Sequence, residues 1–160
     1  MKLLFISLGC DKNLVDSEEM LGMLAADGHE IVDDEDEAEV IIVNTCCFIG
    51  DAKEESVNTI LEMAEKKKAG TCKVLIVTGC MAQRYKKEIS EEIPEVDAIL
   101  GTTSYGEISK AVKEAQAGRH FEEYKSIDFL PDISGKRMLT TGGHFAYLKI
   151  AEGCDKHCTY

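Results

Sequence analysis

The chain has 160 residues, 44% of them apolar, enough for one core that removes roughly 70% of the unfolded surface from water. Its 30 acidic residues outnumber 18 basic ones, for a net charge of −12, a balance that repels phosphate backbones and excludes strong nucleic-acid binding by this segment. Neither a basic start with an apolar leader nor a run of 18 apolar residues occurs, so the expectation is a cytoplasmic chain with no membrane partner.

In chain order, Lys2 to Leu8 reads as a buried strand, a turn follows at Gly9-Cys10-Asp11, and a helix runs from about Asn13 to Asp27, stopped by Gly28. Glu30 to Val32 reads as a short strand, and the acidic run from Asp33 to Glu39 as a solvated loop. Glu39 to Asn44 is the next strong strand. Asp51 and Glu54 resemble a capping box for a helix with Val57, Ile60, Leu61 and Ala64 on its buried stripe, and Lys66, Lys67 and Lys68 suit its last turn before Gly70. Lys73 to Thr78 is a strand, Met81 to Ile93 a helix closed by Pro94, and Val96 to Leu100 a further strand. Ser104 and Glu107 form an S-x-x-E capping box for a helix ending at Gly118. This alternation predicts an α/β fold: a doubly wound, flavodoxin-like, mostly parallel sheet with helices on both faces over residues 1–118. Residues 119–143 read as a linker with room for one hairpin, and 144–160 as the start of a second domain, with Phe145 to Ile150 alternating like its first strand.

Seven cysteines in a reducing compartment, an odd number, point to metal binding or catalysis rather than a disulfide framework. Cys10, Cys46 and Cys80 each end a short apolar run, at intervals of 36 and 34 residues, each long enough for one strand-helix-strand unit. The three thiols should therefore emerge together at the ends of parallel strands. Soft sulfur ligands suit zinc and iron-sulfur clusters alike, but zinc wants a fourth ligand and none of His29, His120, His144 or His157 lies in these turns. Gly9 and Gly79, each before a ligand cysteine, would let backbone approach a bulky cluster. Cys47 should point elsewhere and pack; Cys72 reads as a thiol without a role. The first turn lacks both G-x-G-x-x-G and G-x4-G-K-[ST], which removes the usual phosphate cradles. Asp16, Ser17 and Glu18 read as capping and dipole-matching residues before a catalytic reading is considered. At the far end, Cys154-Asp-Lys-His-Cys158-Thr-Tyr160 needs one more cysteine to become C-x3-C-x2-C.

Four segments carry a family resemblance: Ser7-Leu-Gly-Cys-Asp-Lys-Asn-Leu-Val-Asp-Ser-Glu18, Asn44-Thr-Cys-Cys-Phe-Ile49, Thr78-Gly-Cys-Met-Ala-Gln-Arg-Tyr85 and Tyr147-Leu-Lys-Ile-Ala-Glu-Gly-Cys-Asp-Lys-His-Cys-Thr-Tyr160. Together they resemble the N-terminal domain of radical S-adenosylmethionine methylthiotransferases, in wording closest to the branch that acts on an aspartate of ribosomal protein S-twelve. Cys10-Asp11 and Cys46-Cys47 stand where Cys-Pro and Cys-Gly are commoner in that branch; both ligand positions are kept. The resemblance implies that Cys10, Cys46 and Cys80 hold an auxiliary four-iron four-sulfur cluster, the site of sulfur delivery. It implies that Cys154 and Cys158, with a third ligand beyond Tyr160, hold a second such cluster that chelates S-adenosylmethionine and, given a reductant, generates a 5′-deoxyadenosyl radical. The complete enzyme would then carry two clusters, this segment at most the auxiliary one, and the segment alone would be inactive. The acidic surface suits a basic small-subunit ribosomal protein as substrate. Two alternatives use the same residues: methylthiolation of a transfer-RNA adenosine, and a flavodoxin-like binding or electron-transfer module whose cysteines merely pack.

Overall fold

The computed structural model describes residues 1–131, 137–153, 157 and 159. The apolar runs form β1 (Lys2–Ser7), β3 (Val40–Thr45), β4 (Val74–Gly79) and β5 (Ala98–Leu100), with short edge strands β2 (Glu30–Ile31) and β6 (Phe121–Glu123). The sheet order is β2-β1-β3-β4-β5-β6 and every pairing is parallel, which is the doubly wound, flavodoxin-like order expected from the alternation of elements.

Every residue of β3 and β4 is buried, because helices cover both faces of the sheet. Side chains alternate between the two layers. Val40 and Ile42 join Val74, Ile76 and Leu100 under α1 (Asp11–Ala26) and α5 (Ile108–Gln116). Ile41 and Val43 join Leu75, Val77 and Ile99 under α2 (Gly50–Lys68), α3 (Cys80–Arg84) and α4 (Lys86–Glu92). The register pairs Ser7 with Asn44 and Thr45 with Gly79, so three strands end side by side and their following turns open at the same edge.

Several local expectations are corrected. In α2 the helix begins at Gly50 with Ile49 as its N-cap and no side-chain cap bond, which puts Asp51 inside the first turn where it cannot cap. The buried stripe of α2 is Ser56, Ile60, Met63 and Ala64, whereas Leu61 is 46% exposed. Ile60→Ala should therefore cost about 2–5 kcal/mol, while Leu61→Ala should stay within about 0.5 kcal/mol; denaturant titration of the two variants separates them. The helix expected over 81–93 is interrupted at Tyr85, whose backbone leaves helical geometry and whose ring packs on the α2-side core beneath Lys53 Nζ, 4.2 Å from the ring centre.

Ser104 does not cap α5. Tyr105–Glu107 is a 3₁₀ turn, so the α-helix starts too late for Ser104 to reach its first amides. Ser104 Oγ instead accepts from the Lys125 amide at 2.8 Å, and Glu107 binds the Lys125 ammonium at 2.7 Å. The pair grips the chain just after β6, a strand inside the stretch expected to be linker. Three residues reading Phe-Glu-Glu carry too little alternation to announce a strand, and β6 exists because β5 offers it a parallel edge. The acidic run is also less free than expected: Asp36 binds Lys66 at 2.7 Å, Glu37 binds Lys2 at 2.6 Å and Glu39 binds Lys73 at 2.8 Å.

Phe145 to Ile150 is not a strand. A ladder needs a partner, and among the described residues none pairs with this segment. Its alternation shows in another way, since Leu148 and Ile150 are exposed while the Lys149 side chain between them is buried against α1. No helix among the described residues is long and apolar enough to cross a membrane.

Candidate functional site

Beyond β1, β3 and β4 the chain turns at Gly9-Cys10, Cys46-Cys47 and Gly79-Cys80, and the first cysteine-bearing pair of strands, β1 and β3, flanks the point where the strand order reverses. That crevice is where doubly wound sheets bind ligands. Cys10, Cys46 and Cys80 line one open cleft of about 900 Å³, together with Gly9, Phe48 and Ile49. Cys10 is exposed, Cys46 buried and Cys80 half-buried; Phe48 and Ile49, 86% and 57% exposed, form an apolar rim. The structure thus brings the three sequence-predicted thiols to one cavity. Cys154 and Cys158 lie outside the described residues.

Two glycines permit this close packing of turns. At Gly9, with φ +99°, a Cβ would stand 2.6 Å from Cys46 Cβ and 2.9 Å from Cys46 Sγ. At Gly79, with φ +96°, it would stand 2.3 Å from Asn44 Oδ1 and 2.5 Å from the Thr45 carbonyl. Their immediate physical role is contact between neighbouring turns, a closer approach than the cluster contact expected from sequence.

A buried amide ties the turns together. Asn13, on the first turn of α1, donates from Nδ2 to the carbonyls of Leu8 and Thr45, both at 3.0 Å, and its Oδ1 lies 3.7 Å from Cys80 Sγ. One side chain therefore touches the approach to each of the three cysteines. Asn44 completes the arrangement by donating to the Asn13 carbonyl at 3.0 Å and to Ser17 Oγ at 2.9 Å. Ser56, buried on α2, fixes the Cys46 backbone from both sides: its Oγ accepts from the Cys46 amide at 3.0 Å and donates to the Cys46 carbonyl at 2.9 Å. Thr45 Oγ1 donates to the Thr78 carbonyl at 2.6 Å.

The thiols experience distinct surroundings. Cys10 is the N-cap of α1 in extended conformation and makes no side-chain cap bond. Burial pushes the Cys80 thiol up; the Thr102 hydroxyl offsets part of this, and the neighbouring Cys47, Cys46 and Cys10 add to the rise. Cys47 packs against the α2-side core as expected, yet it does not turn fully away from the cleft, since it neighbours the Cys80 thiol. Cys72 is buried, donates to the Val74 carbonyl at 3.0 Å and has its thiol pushed up by burial. Among the described residues, no three His, Cys, Asp or Glu side chains form a group that could hold a single metal ion.

Asp16, Ser17 and Glu18 turn out to be neither caps nor cleft residues. All three are buried: Ser17 belongs to the Asn44 network, while Asp16 and Glu18 bind Lys149 and Arg137. Burial pushes the Asp16 carboxyl up to about 6, against the pull of the Lys149 ammonium bonded to it.

Fold and cleft define a doubly wound α/β domain whose ligand crevice is lined by cysteines. The family model described as Uncharacterized protein family UPF0004 matches residues 2–101, and the chain belongs to that family. Over 160 residues it is 62% identical to a protein of Lachnoclostridium phytofermentans named ribosomal protein uS12 methylthiotransferase RimO, covering 100% of this chain and 36% of the relative. Proteins of the same name from Clostridioides difficile and Acetivibrio thermocellus are 50% and 52% identical, covering 100% and 97% of this chain and 36% of each relative. The chain thus spans about a third of the length of the curated relatives it matches. These names bear out the methylthiotransferase resemblance carried by the four motifs.

Proposed function

We propose that this chain is the sulfur-donor domain of a ribosomal protein S-twelve methylthiotransferase, with Cys10, Cys46 and Cys80 as ligands of an auxiliary four-iron four-sulfur cluster. The observation that carries the reading is the convergence of three thiols, from three separate strand ends, on one cleft. The donor set fits: thiolates are the usual ligands of such clusters, and each would bind a different iron, so they need not crowd one point as the ligands of a single zinc ion must. When bound by three thiolates, the cluster would leave one iron open to exogenous sulfur. The protein's part is to hold and shield. Asn13, Asn44 and Ser56 fix the backbone of the ligand turns, the glycines let those turns meet, and Phe48 and Ile49 offer an apolar rim to whatever closes the cleft.

The wider reading follows the relatives' names. The substrate would be an aspartate of basic ribosomal protein uS12, which the acidic surface suits, in the cytoplasm, where thiols stay reduced. Cys154 and Cys158 would belong to the radical cluster that binds S-adenosylmethionine, in a barrel domain of which residues 144–160 are the beginning. The names favour this substrate over a transfer-RNA adenosine.

Anaerobic reconstitution with iron and sulfide tests the cluster. The parent chain should retain about four irons, and Cys10→Ala, Cys46→Ala and Cys80→Ala should each lose them. Iron indifferent to all three substitutions, or flavin bound in its place, would return the domain to the flavodoxin-like binding class.

A further inference from the structure

The stretch from Arg137 to Glu152 is more than 110 residues from α1 in sequence, yet it lies along that helix and is held by two buried carboxylates. The Glu18 side chain is fully buried, accepts hydrogen bonds from Arg137 Nε at 2.6 Å, the Thr140 amide at 2.7 Å and the Thr140 hydroxyl at 2.9 Å, and forms an ion pair with Arg137 Nη2. Its own carbonyl accepts a further hydrogen bond, from the Met138 amide at 2.9 Å. Burial works to raise the Glu18 pKa, but the Thr140 amide, Arg137 and the Thr140 hydroxyl together hold the carboxyl below the ordinary range. Asp16 binds Lys149, whose side chain is only 8% exposed. Lys149 also binds Glu152, which in turn faces Lys12 at 3.6 Å, and the Lys149 ammonium lies 5.3 Å from the centre of the Tyr105 ring. Arg137 closes the segment on itself by donating to the Tyr147 carbonyl at 2.6 Å.

Removing either cation while the segment stays docked would leave a carboxylate buried without a partner, which is strongly unfavourable, so the docked position depends on both pairs. Both project from α1, the helix that carries Cys10 at its N-terminus and Asn13 one turn on. The chain reaches Cys154 two residues after Glu152.

We propose that Asp16 and Glu18 are positioning residues: through Lys149 and Arg137 they latch residues 137–152 onto α1. One helix then sets both the cleft of Cys10, Cys46 and Cys80 and the point at which the segment bearing Cys154 and Cys158 departs. The docking stands on the geometry alone; its service to two cysteine sites rests on the reading under Proposed function.

Hydrogen exchange on the metal-free, reduced chain tests the latch independently of iron. In the parent, the Met138 and Thr140 amides should be protected. The double variant Arg137→Met/Lys149→Met, which leaves every sheet and α1 residue unchanged, should speed their exchange by about a hundredfold. Amides of β3 and β4 should keep their protection. The conservative double variant Arg137→Lys/Lys149→Arg should recover much of the protection at Thr140. Unprotected amides in the parent, or equal protection in parent and Met variant, would overturn the latch. So would loss of protection throughout the sheet, since the pairs would then support the whole fold instead of placing one segment. Glu18→Gln provides the reciprocal check and should free the same two amides.

Discussion

Gly79→Ala should be among the most damaging single substitutions in the chain. The residue sits at φ 96° and ψ −161°, a region that is essentially reserved for glycine and costs a side chain about 1–3 kcal/mol. The added Cβ would also meet Asn44 Oδ1 at 2.3 Å, the Thr45 carbonyl at 2.5 Å and the Thr45 amide nitrogen at 2.8 Å. Two of those three atoms are backbone of a central strand and cannot swing aside, so overpacking adds about 1–3 kcal/mol. Together these amount to about 4 kcal/mol, which for a chain of this size lowers Tm by roughly 10 °C. Gly118→Ala is the matched control, since its φ is also positive at +72° but nothing lies within 4 Å of the added Cβ; it should cost about 1–2 kcal/mol. Thermal unfolding of the two variants measures the difference. Should Gly79→Ala melt within a degree or two of Gly118→Ala, the close contact between the second and third cysteine turns would be wrong. If the proposed cluster site is right, Gly79→Ala should also lose iron on reconstitution, because the displaced residue adjoins Cys80.

Asn13→Ala and Asn13→Asp should both weaken the site, the second more than the first. Alanine removes the donor shared by the Leu8 and Thr45 carbonyls, and each buried acceptor left unsatisfied costs about 1–3 kcal/mol. Aspartate keeps the size of the side chain but sets a second oxygen where Nδ2 stood, so the same two carbonyls face a group that repels them in a buried place. A Tm ordered parent, Ala, Asp is the expected result. Iron retention against a chelator should fall in the same order, because the Asn13 side chain touches the approaches to all three proposed ligands. Equal behaviour of Asn and Asp would mean that the amide does not clamp the turns.

Much of this architecture was legible from local pattern. The apolar runs ending at Ser7, Asn44 and Thr78 announce parallel strands with helices between them, and a cysteine after each run places three thiols at one sheet edge once the crossovers share a hand. Asn13 was harder to recognise, because an asparagine near a helix start is unremarkable by itself. A signal did exist at Asn44, a polar residue after four apolar ones in a fully buried strand: such a group must find partners, and its partners are Asn13 and Ser17. Leu61 misled because it fits the helical stripe as well as Ile60 does; which of two adjacent apolar residues faces the sheet depends on where the helix begins, and α2 begins without a side-chain cap to mark it. The Ser104–Glu107 pair misled for a related reason. A capping box and a grip on a distant lysine use the same residue types, and only the position of Lys125 distinguishes them.

The sequence by itself determined most of the elements up to residue 118, the sheet class, the two-layered core and the placement of three cysteines at strand ends, since each follows from residue periodicity and from the spacing that a right-handed crossover requires. Tertiary structure alone decided the rest. That β6 joins the sheet depends on the free edge of β5. That Gly9 and Gly79 are needed depends on the neighbouring turns a Cβ would strike. That Asp16 and Glu18 grip residues 137–152 instead of capping a helix depends on cations more than 110 positions away. Periodicity reports which face of an element is buried; what a buried polar group meets there is a fact about two distant pieces of chain, and only their packing supplies it.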